Sequence, residues 1–396
     1  MLMSDIIYLY QMSSTIKVLQ VIPRLGFGGA ETGCYDLAHF LAEKKCKSFL
    51  ITSGGELLKF VRRDKVKVIR LPVQSKNLII MFVNFIIIFF IILFYNIDIV
   101  HARSRAPAWS CLWACFFSRK KFVTTFHGTY NFSSKLKLFY NSVMVRSKLI
   151  IAGSNFIFNH ISNNYQKYLN PSKKKLLVIF RGINLEYFNF KNTSEKKVNA
   201  LAQKWKIDRR NFIILLPGRL TKWKGHEIFI EALNLLIEKY NKDNFQAVIL
   251  GSDQGRSVYT KKLLLLVERH RLNKKLTFIE NCEEMPVAYK LADVALSSSI
   301  EPEAFGRVAV EAQAMNKPII ASNLGGSKET VLNTKSGLLF KPEDAQELAK
   351  NINKLMEMNK ESLSLMGELG RKNVEKKFNV DQMCQTTFTE YKKLLK

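Results

Sequence analysis

Ile16-Lys-Val-Leu-Gln-Val-Ile22 runs through a short linker into Gly26-Phe-Gly-Gly-Ala-Glu31. A β-branched apolar run, a glycine loop and a helical stretch from about Ala30 to Lys44 make a β-loop-α start. Outward from it, short apolar runs recur at Ser48 to Thr52, Val66 to Leu71, Asp98 to His101, Phe122 to Phe126, Leu149 to Ala152 and Leu176 to Phe180. Helical stretches separate them, so the pattern predicts a parallel, doubly wound sheet. After Arg181-Gly182 the polar stretch Asn184 to Lys197 lacks periodicity and reads as a connection. A second series then begins, with strands at Phe212 to Leu216, Phe245 to Leu250, Leu276 to Glu280, Val294 to Ser297 and Pro318 to Ala321. Its helices start near Gly225, Ser257, Met285 and Ala304, and three more follow: Asp344 to Met358, Glu361 to Lys377 and Asp381 to Leu395. The fold class is α/β with two such domains. The expected divisions are an extension over 1–15, a first domain over 16–190, a second over 191–380, and a last helix over 381–396 that packs back on the first.

A chain of 396 residues is long enough for two cores. With 47% hydrophobic and 24% charged residues it is globular rather than disordered. Six scattered cysteines lack zinc-site spacing and disulfide density, which fits a reduced, cytoplasmic setting. Cys111 and Cys115, one turn apart in the apolar run Ala108 to Phe117, read as core and not as metal ligands. Met1 to Tyr10 has neither a basic start nor a small-residue cleavage site, so no signal peptide is expected.

The net charge of +28 is unevenly placed. Residues 1–200 hold 29 Lys and Arg against 9 Asp and Glu; residues 201–396 hold 32 against 24. Such a field draws an anionic partner, either nucleic acid or an acidic membrane face, unless it is only a compositional bias. Leu78 to Phe94 is a 17-residue apolar run broken by Asn84. At 1.5 Å per residue it reaches roughly 25 Å, short of a ~30 Å hydrocarbon core. It reads as a buried or membrane-surface helix, with a membrane span as the alternative.

Several clusters carry candidate chemistry. Gly28 and Gly29 open a helix, where free backbone N–H groups bind anions or sugar hydroxyls; Glu31 follows on the first turn. The spacing is not G-x-G-x-x-G, and Ser53-Gly54-Gly55 stands where a dinucleotide fold puts an acid, so NAD is not expected. His127-Gly128 ends a strand, and Arg103 and Arg105 follow another; all three fall at the sheet edge where parallel sheets hold ligands. A satisfied structural histidine and solvated arginines are the plainer alternatives. In the second half, Gly218-Arg219 and Lys224-Gly225 place cations beside a helix N-terminus, a combination suited to a diphosphate. Glu303 and Glu311 stand eight residues apart around Ala304-Phe305-Gly306-Arg307. A helix from Ala304 would carry one carboxylate at its mouth and one along its face, each able to accept vicinal hydroxyls. By spacing alone the pair is equally a solvated helix face. Asn323-Leu-Gly325-Gly326 makes a further glycine turn into a helix.

Taken in order, these segments resemble the retaining GT-B glycosyltransferases of family 4, from about residue 17 to the end. The matching pieces are the glycine loop with Glu31, His127-Gly128, Gly218-Arg219 with Lys224-Gly225, Glu303 through Glu311, Gly325-Gly326 with Glu329, and Ser336-Gly-Leu-Leu339. The resemblance implies two Rossmann-like domains facing across a cleft, with the nucleotide-sugar donor on the second and the acceptor on the first. It implies Arg219 and Lys224 on the diphosphate, Glu311 on the ribose and Glu303 on the transferred sugar. Amides of Phe305, Gly306 and Arg307, with Gly28, Gly29 and Gly218, would serve the donor, His127 would approach its sugar, and Glu31, Arg103 and Arg105 would meet the acceptor. It also implies no bound metal and no cofactor, the nucleotide-sugar being a substrate. Glu280-Asn281 and Ser252-Asp253 stand where the family often has glycines, which leaves the base open. A hexose transferred to a lipopolysaccharide or other envelope glycan, at the inner face of an anionic membrane, is the expected reaction. A GT-B epimerase or phosphorylase explains the glutamate pair less well. A nucleic-acid-binding protein would interleave its basic residues with exposed aromatics, whereas most phenylalanines here fall in apolar runs.

Overall fold

Strands buried on both faces need helices on both sides, and the chain supplies them in alternation. The computed structural model describes residues 15–130, 133–170, 172 and 174–396; the expected extension over 1–15 falls outside these except for Thr15. In the first unit the elements run β1 (Lys17–Val21), α1 (Gly29–Glu43), β2 (Lys47–Thr52), β3 (Val66–Arg70), α2 (Leu78–Tyr95), β4 (Ile99–Ala102) and α3 (Arg105–Ser118). They continue with β5 (Lys121–Phe126), α4 (Lys135–Asn141), β6 (Leu149–Ala152), α5 (Asn155–Asn164) and β7 (Lys175–Val178). The seven strands are ordered β3-β2-β1-β4-β5-β6-β7, all parallel. Strand order reverses between β1 and β4, the switch point at which such sheets bind ligands.

The second unit runs α6 (Glu195–Trp205), β8 (Phe212–Pro217), α7 (His226–Glu238), β9 (Phe245–Leu250), α8 (Ser257–Arg269), β10 (Leu276–Ile279) and α9 (Met285–Leu291). It continues with β11 (Val294–Ser297), α10 (Arg307–Ala314), β12 (Ile319–Ser322), α11 (Ser327–Thr330), β13 (Gly337–Phe340), α12 (Ala345–Glu357) and α13 (Lys360–Lys377). Its six parallel strands are ordered β10-β9-β8-β11-β12-β13, with the switch point between β8 and β11. Ile214, Leu216, Phe229, Leu233, Ile249 and Leu296 are among the residues that close its core.

The units divide at Arg181/Gly182 and at Asn379/Val380, not at the expected 190/191. Residues 182–190 belong to the second unit because Ile183 N donates to Phe378 O at 2.9 Å and Phe188 is buried edge-on to Tyr289. The last helix, α14 (Val380–Leu395), lies in the first unit. Its Tyr391 is fully buried, with Oη 2.6 Å from His101 Nδ1, while His101 Nε2 is 2.7 Å from Thr125 Oγ1. Burial, then Arg103, holds the His101 imidazole well below its usual range, so it stays neutral with both nitrogens paired.

Helix α2 starts at the cap of Asn77, whose side chain accepts from Ile79 N and Ile80 N, and stops at Asn96 in the left-handed region. Met81, Asn84, Ile88 and Ile92 are buried, and Ser110 of α3 donates to Met81 O at 2.7 Å. Asn84, which interrupts the apolar run, donates to Pro72 O at 3.2 Å. By length and composition alone α2 could cross a membrane, with mean hydropathy 3.0, yet its inner face packs on its own unit. The helix is therefore neither fully buried nor free of the fold.

Close approach fixes the loops after β8 and β11. Gly225 sits at φ +69, and a Cβ there would lie 1.9 Å from Ser298 O. Gly325, at φ +54, would place one 2.4 Å from Glu303 O. Two outcomes follow. Gly225→Ala must strain a left-handed residue and displace a carbonyl, so the second unit should lose at least about 2 kcal/mol, read by denaturant unfolding. Tyr391→Phe leaves one His101 nitrogen unpaired and should cost roughly 1–3 kcal/mol, read as a lower unfolding midpoint for the first unit.

Candidate functional site

In the second unit, β8 ends in Gly218-Arg219, a single 3-10 turn spans Lys222–Lys224, and Gly225 turns the chain into α7. Gly218 lacks a Cβ beside the Lys224 stem, which passes 3.5 Å from where that atom would be. Lys224 Nζ meets Glu303 Oε1 at 2.7 Å, with the two side chains 12% and 10% exposed. Nζ also sits 4.4 Å from the centre of the Trp223 ring. The same Glu303 oxygen accepts from Ser299 Oγ at 2.6 Å and Ser297 Oγ at 3.2 Å. Burial on its own would raise the Glu303 carboxyl, but Lys224 and the two serines outweigh it and hold the group below its ordinary value. Glu303 is thus ionised at neutral pH. Arg219 lies exposed on the same loop. A fixed ammonium, an exposed guanidinium and a carboxylate with one oxygen unspent can engage an anion and a hydroxyl together.

Glu311 belongs to a separate network. It is 6% exposed, takes Arg307 Nε on Oε1 at 2.5 Å and Tyr289 Oη on Oε2 at 2.9 Å. The expected helix from Ala304 starts instead at Arg307, because Gly306 at φ +84 cannot be a helix interior residue. Glu303 therefore stands four residues ahead of α10, on a loop, and does not share a helix face with Glu311. Gly326 N donates to Glu303 O at 2.7 Å, so the second glycine turn carries the Glu303 backbone. Phe305 is buried edge-on to Phe378. The two positions that depart from the family pattern meet: Ser252 Oγ lies 3.4 Å from Glu280 Oε1.

In the first unit, Gly28 caps α1 with no side-chain bond to its amides, and a Cβ there would collide with the Glu31 carboxylate at 2.3 Å. A Cβ at Gly29 would lie 2.8 Å from Arg181 Nη2, so Arg181 reaches the glycine loop. His127 follows β5, its ring nitrogens shielded and without hydrogen-bond partners among the described residues. Burial first, then Arg181, Arg103 and His101, keep that imidazole far below its usual value; it is neutral. Arg103 is buried, not solvated, and its Nε donates to Gln20 Oε1 at 2.9 Å. Arg105 Nη1 donates to Asn141 Oδ1 at 2.9 Å, and its guanidinium stacks 4.2 Å over the Tyr130 ring. With Lys76, Lys137, Tyr140 and Asn141 it lines a concavity of about 430 Å³.

Four participants escaped the sequence reading. Ser297 and Ser299 lie within the stretch that flanks Glu303, and hydroxyls six and four residues ahead of a carboxylate are a visible signal. Arg181 and Tyr289 carried none, since only folding brings them to Gly29 and Glu311. His226, directly after Gly225, is fully buried; burial and then Lys224 bring it to about 4.

Two family profiles match the chain: "Glycosyl transferases group 1" over residues 197–373 and "Glycosyltransferase Family 4" over residues 27–187. A glycosyltransferase from Rickettsia africae ESF-5 superposes with a TM-score of 0.88 at 35% identity, covering 97% of this chain and 100% of that one. Anabaena Alr3699/HepE, solved in complex with UDP-glucose, superposes with a TM-score of 0.81 at 22% identity, covering 96% and 100%, which speaks for the fold alone. The capsular polysaccharide biosynthesis glycosyltransferase CapM of Staphylococcus aureus is 30% identical over 218 residues, 54% of this chain, which spans about half (53%) of that relative's length. A parallel α/β sheet in each unit, a profile on each unit and a full-length match at 35% identity together place this chain in the group 1/family 4 GT-B glycosyltransferases.

Proposed function

We propose that this protein transfers a hexose-type sugar from a nucleoside-diphosphate sugar to a glycan or lipid-linked acceptor in cell-envelope polysaccharide synthesis, with retention of anomeric configuration. The observation that carries the reading is the Lys224–Glu303 pair, almost buried and held by two serines beside exposed Arg219. Lys224 and Arg219 take the diphosphate, and the open end of α10 adds the amides of Phe305, Gly306 and Arg307. These positive groups offset the charge that builds on the leaving phosphate, so no metal is required. Glu303 accepts hydroxyls of the transferred sugar through its spare oxygen, and Glu311 accepts from the ribose with the lone pairs that Arg307 and Tyr289 leave.

The reaction proposed is a same-face substitution. The acceptor oxygen bonds to the anomeric carbon as the bond to the phosphate oxygen breaks, and that phosphate oxygen takes the acceptor's proton. In the first unit, neutral His127 offers a hydrogen bond to a sugar hydroxyl without adding charge. The uncapped amides at Gly28 and Gly29, with Glu31, Arg103 and Arg105, form the acceptor side of the reading. An envelope acceptor is supported by the capsular polysaccharide role in the name of the S. aureus relative. The setting proposed is cytoplasmic, peripheral on the inner membrane face.

Glu303→Gln keeps the shape and the serine hydroxyls but removes the charge; transfer should fall at least about 100-fold while nucleotide binding persists. Lys224→Ala should weaken both nucleotide binding and transfer. Sugar-transfer assays with each variant check this, and an active variant of either overturns the assignment. Thermal unfolding with UDP-, GDP- and ADP-sugars should show one class raising the midpoint, by about 2.7 kcal/mol of stabilisation at a hundredfold excess over Kd. No response to any of them removes the donor site.

A further inference from the structure

Helix α2 is apolar on every side, and its eighteen residues include no charged side chain. A helix of that kind belongs inside a core or against lipid, yet only its inner face is covered. At ~100° per residue, the exposed positions 78, 79, 82, 83, 86, 90, 93 and 94 fall within one arc of about 160°. Phe82, Phe90 and Phe94 on it are 54%, 61% and 81% exposed, and Phe116 and Phe117 on neighbouring α3 are 76% and 62% exposed. The surface is continuous across the two helices: Phe82 contacts Phe85, Phe85 contacts Phe117, and Phe117 contacts Phe116, with ring centres 5.4–5.7 Å apart. Taking ~200 Å² per phenylalanine, these five alone expose roughly 650 Å², at the top of the range for the largest patch on a soluble monomer.

Charge says what covers it. Between Lys65 and Leu185 the sequence holds eighteen Lys and Arg and a single acid, Asp98, whose Oδ2 is taken by Lys17 N at 2.8 Å. Lys76 directly precedes the cap of α2, and Lys120 Nζ bonds to Asn96 Oδ1 at 2.8 Å at the other end. Lys76 also shares the concavity with Arg105 and Lys137. A second copy of this chain would oppose cations with cations, whereas an anionic lipid interface supplies both acyl chains and negative headgroups. We propose that the outer face of α2 and α3 is a membrane-docking surface that seats in the headgroup region of an anionic bilayer, with α2 lying in the plane. Spanning is disfavoured: eighteen residues give about 27 Å, and the bonds from Asn84 to Pro72 and from Ser110 to Met81 hold the helix on its unit. The concavity then faces a site for an anionic group on a membrane-borne acceptor, and in that point alone the inference rests on the proposed function.

The test is co-sedimentation of the full-length protein with vesicles of phosphatidylcholine, with and without ~30% phosphatidylglycerol. Binding should be at least about tenfold stronger to the anionic vesicles and should weaken in high salt. The combined variant Phe82→Ser/Phe90→Ser/Phe94→Ser should lose at least about tenfold of that binding while keeping its thermal response to the donor nucleotide. Absence of wild-type binding, unchanged binding by the variant, or a dimer that these substitutions dissociate without any vesicle binding would overturn the proposal. Vesicle binding through this face with no transfer to any acceptor leaves the docking surface standing and removes the proposed function.

Discussion

An ammonium and a carboxylate withdrawn from water at 2.7 Å are costly to hold unless their remaining hydrogen-bonding capacity is met. Around Lys224 and Glu303 Oε1 it is met by Ser297, Ser299 and the Trp223 ring, with Oε2 left for a ligand, and the geometry that allows this is backbone geometry. Gly225 lets the loop after β8 touch the loop after β11, and Ser298 Oγ donates to the carbonyls of Lys224 and Gly225 at 3.0 and 3.1 Å. Ile300 N closes the contact on Trp223 O at 2.8 Å. Two loops far apart in sequence are thereby locked at the switch point of the six-stranded sheet. The charges are aimed before any ligand arrives, so little reorganisation accompanies its binding.

Much of this was legible in the sequence. Alternating apolar runs located most strands to within a residue or two, because parallel strands buried on both faces are continuous apolar segments. Strand β13 has no such run: the four residues of Ser336-Gly-Leu-Leu339 give no periodicity, and pairing with β12 defines the strand. The start of α10 was misplaced by three residues because the left-handed turn at Gly306 is a property of the backbone path rather than of composition. The domain boundary moved for a similar reason: residues 182–190 are polar in sequence but tied to the second unit by Ile183 and Phe188.

Site residues divided along the same line. Lys224 and Glu303 were visible as charged residues beside glycines, and their contact is what the fold added. Arg181 and Tyr289 were invisible, as each acts on a group more than twenty residues away. Helix α2 was ambiguous in sequence because an apolar run has the same composition whether one face or both are covered. The structure resolves the ambiguity into an inner face that packs and an outer face that does not.

The two units also handle charge in different ways, and that explains why one is easier to read than the other. In the second, a cation near the sheet edge meets a carboxylate: Lys224 meets Glu303, and Arg307 meets Glu311. In the first, Arg103 is held by a glutamine and Arg105 by an asparagine and a tyrosine ring. Neutral partners fix a guanidinium in place without cancelling its charge. At Arg103 and Arg105 the positive charge is therefore left to an external anion, and between residues 65 and 185 the sequence sets one acid, Asp98, against eighteen Lys and Arg. A paired site records the chemistry of its ligand in both signs of charge. An unpaired one records only that the ligand is negative, and the apolar face beside it is what narrows the choice to lipid.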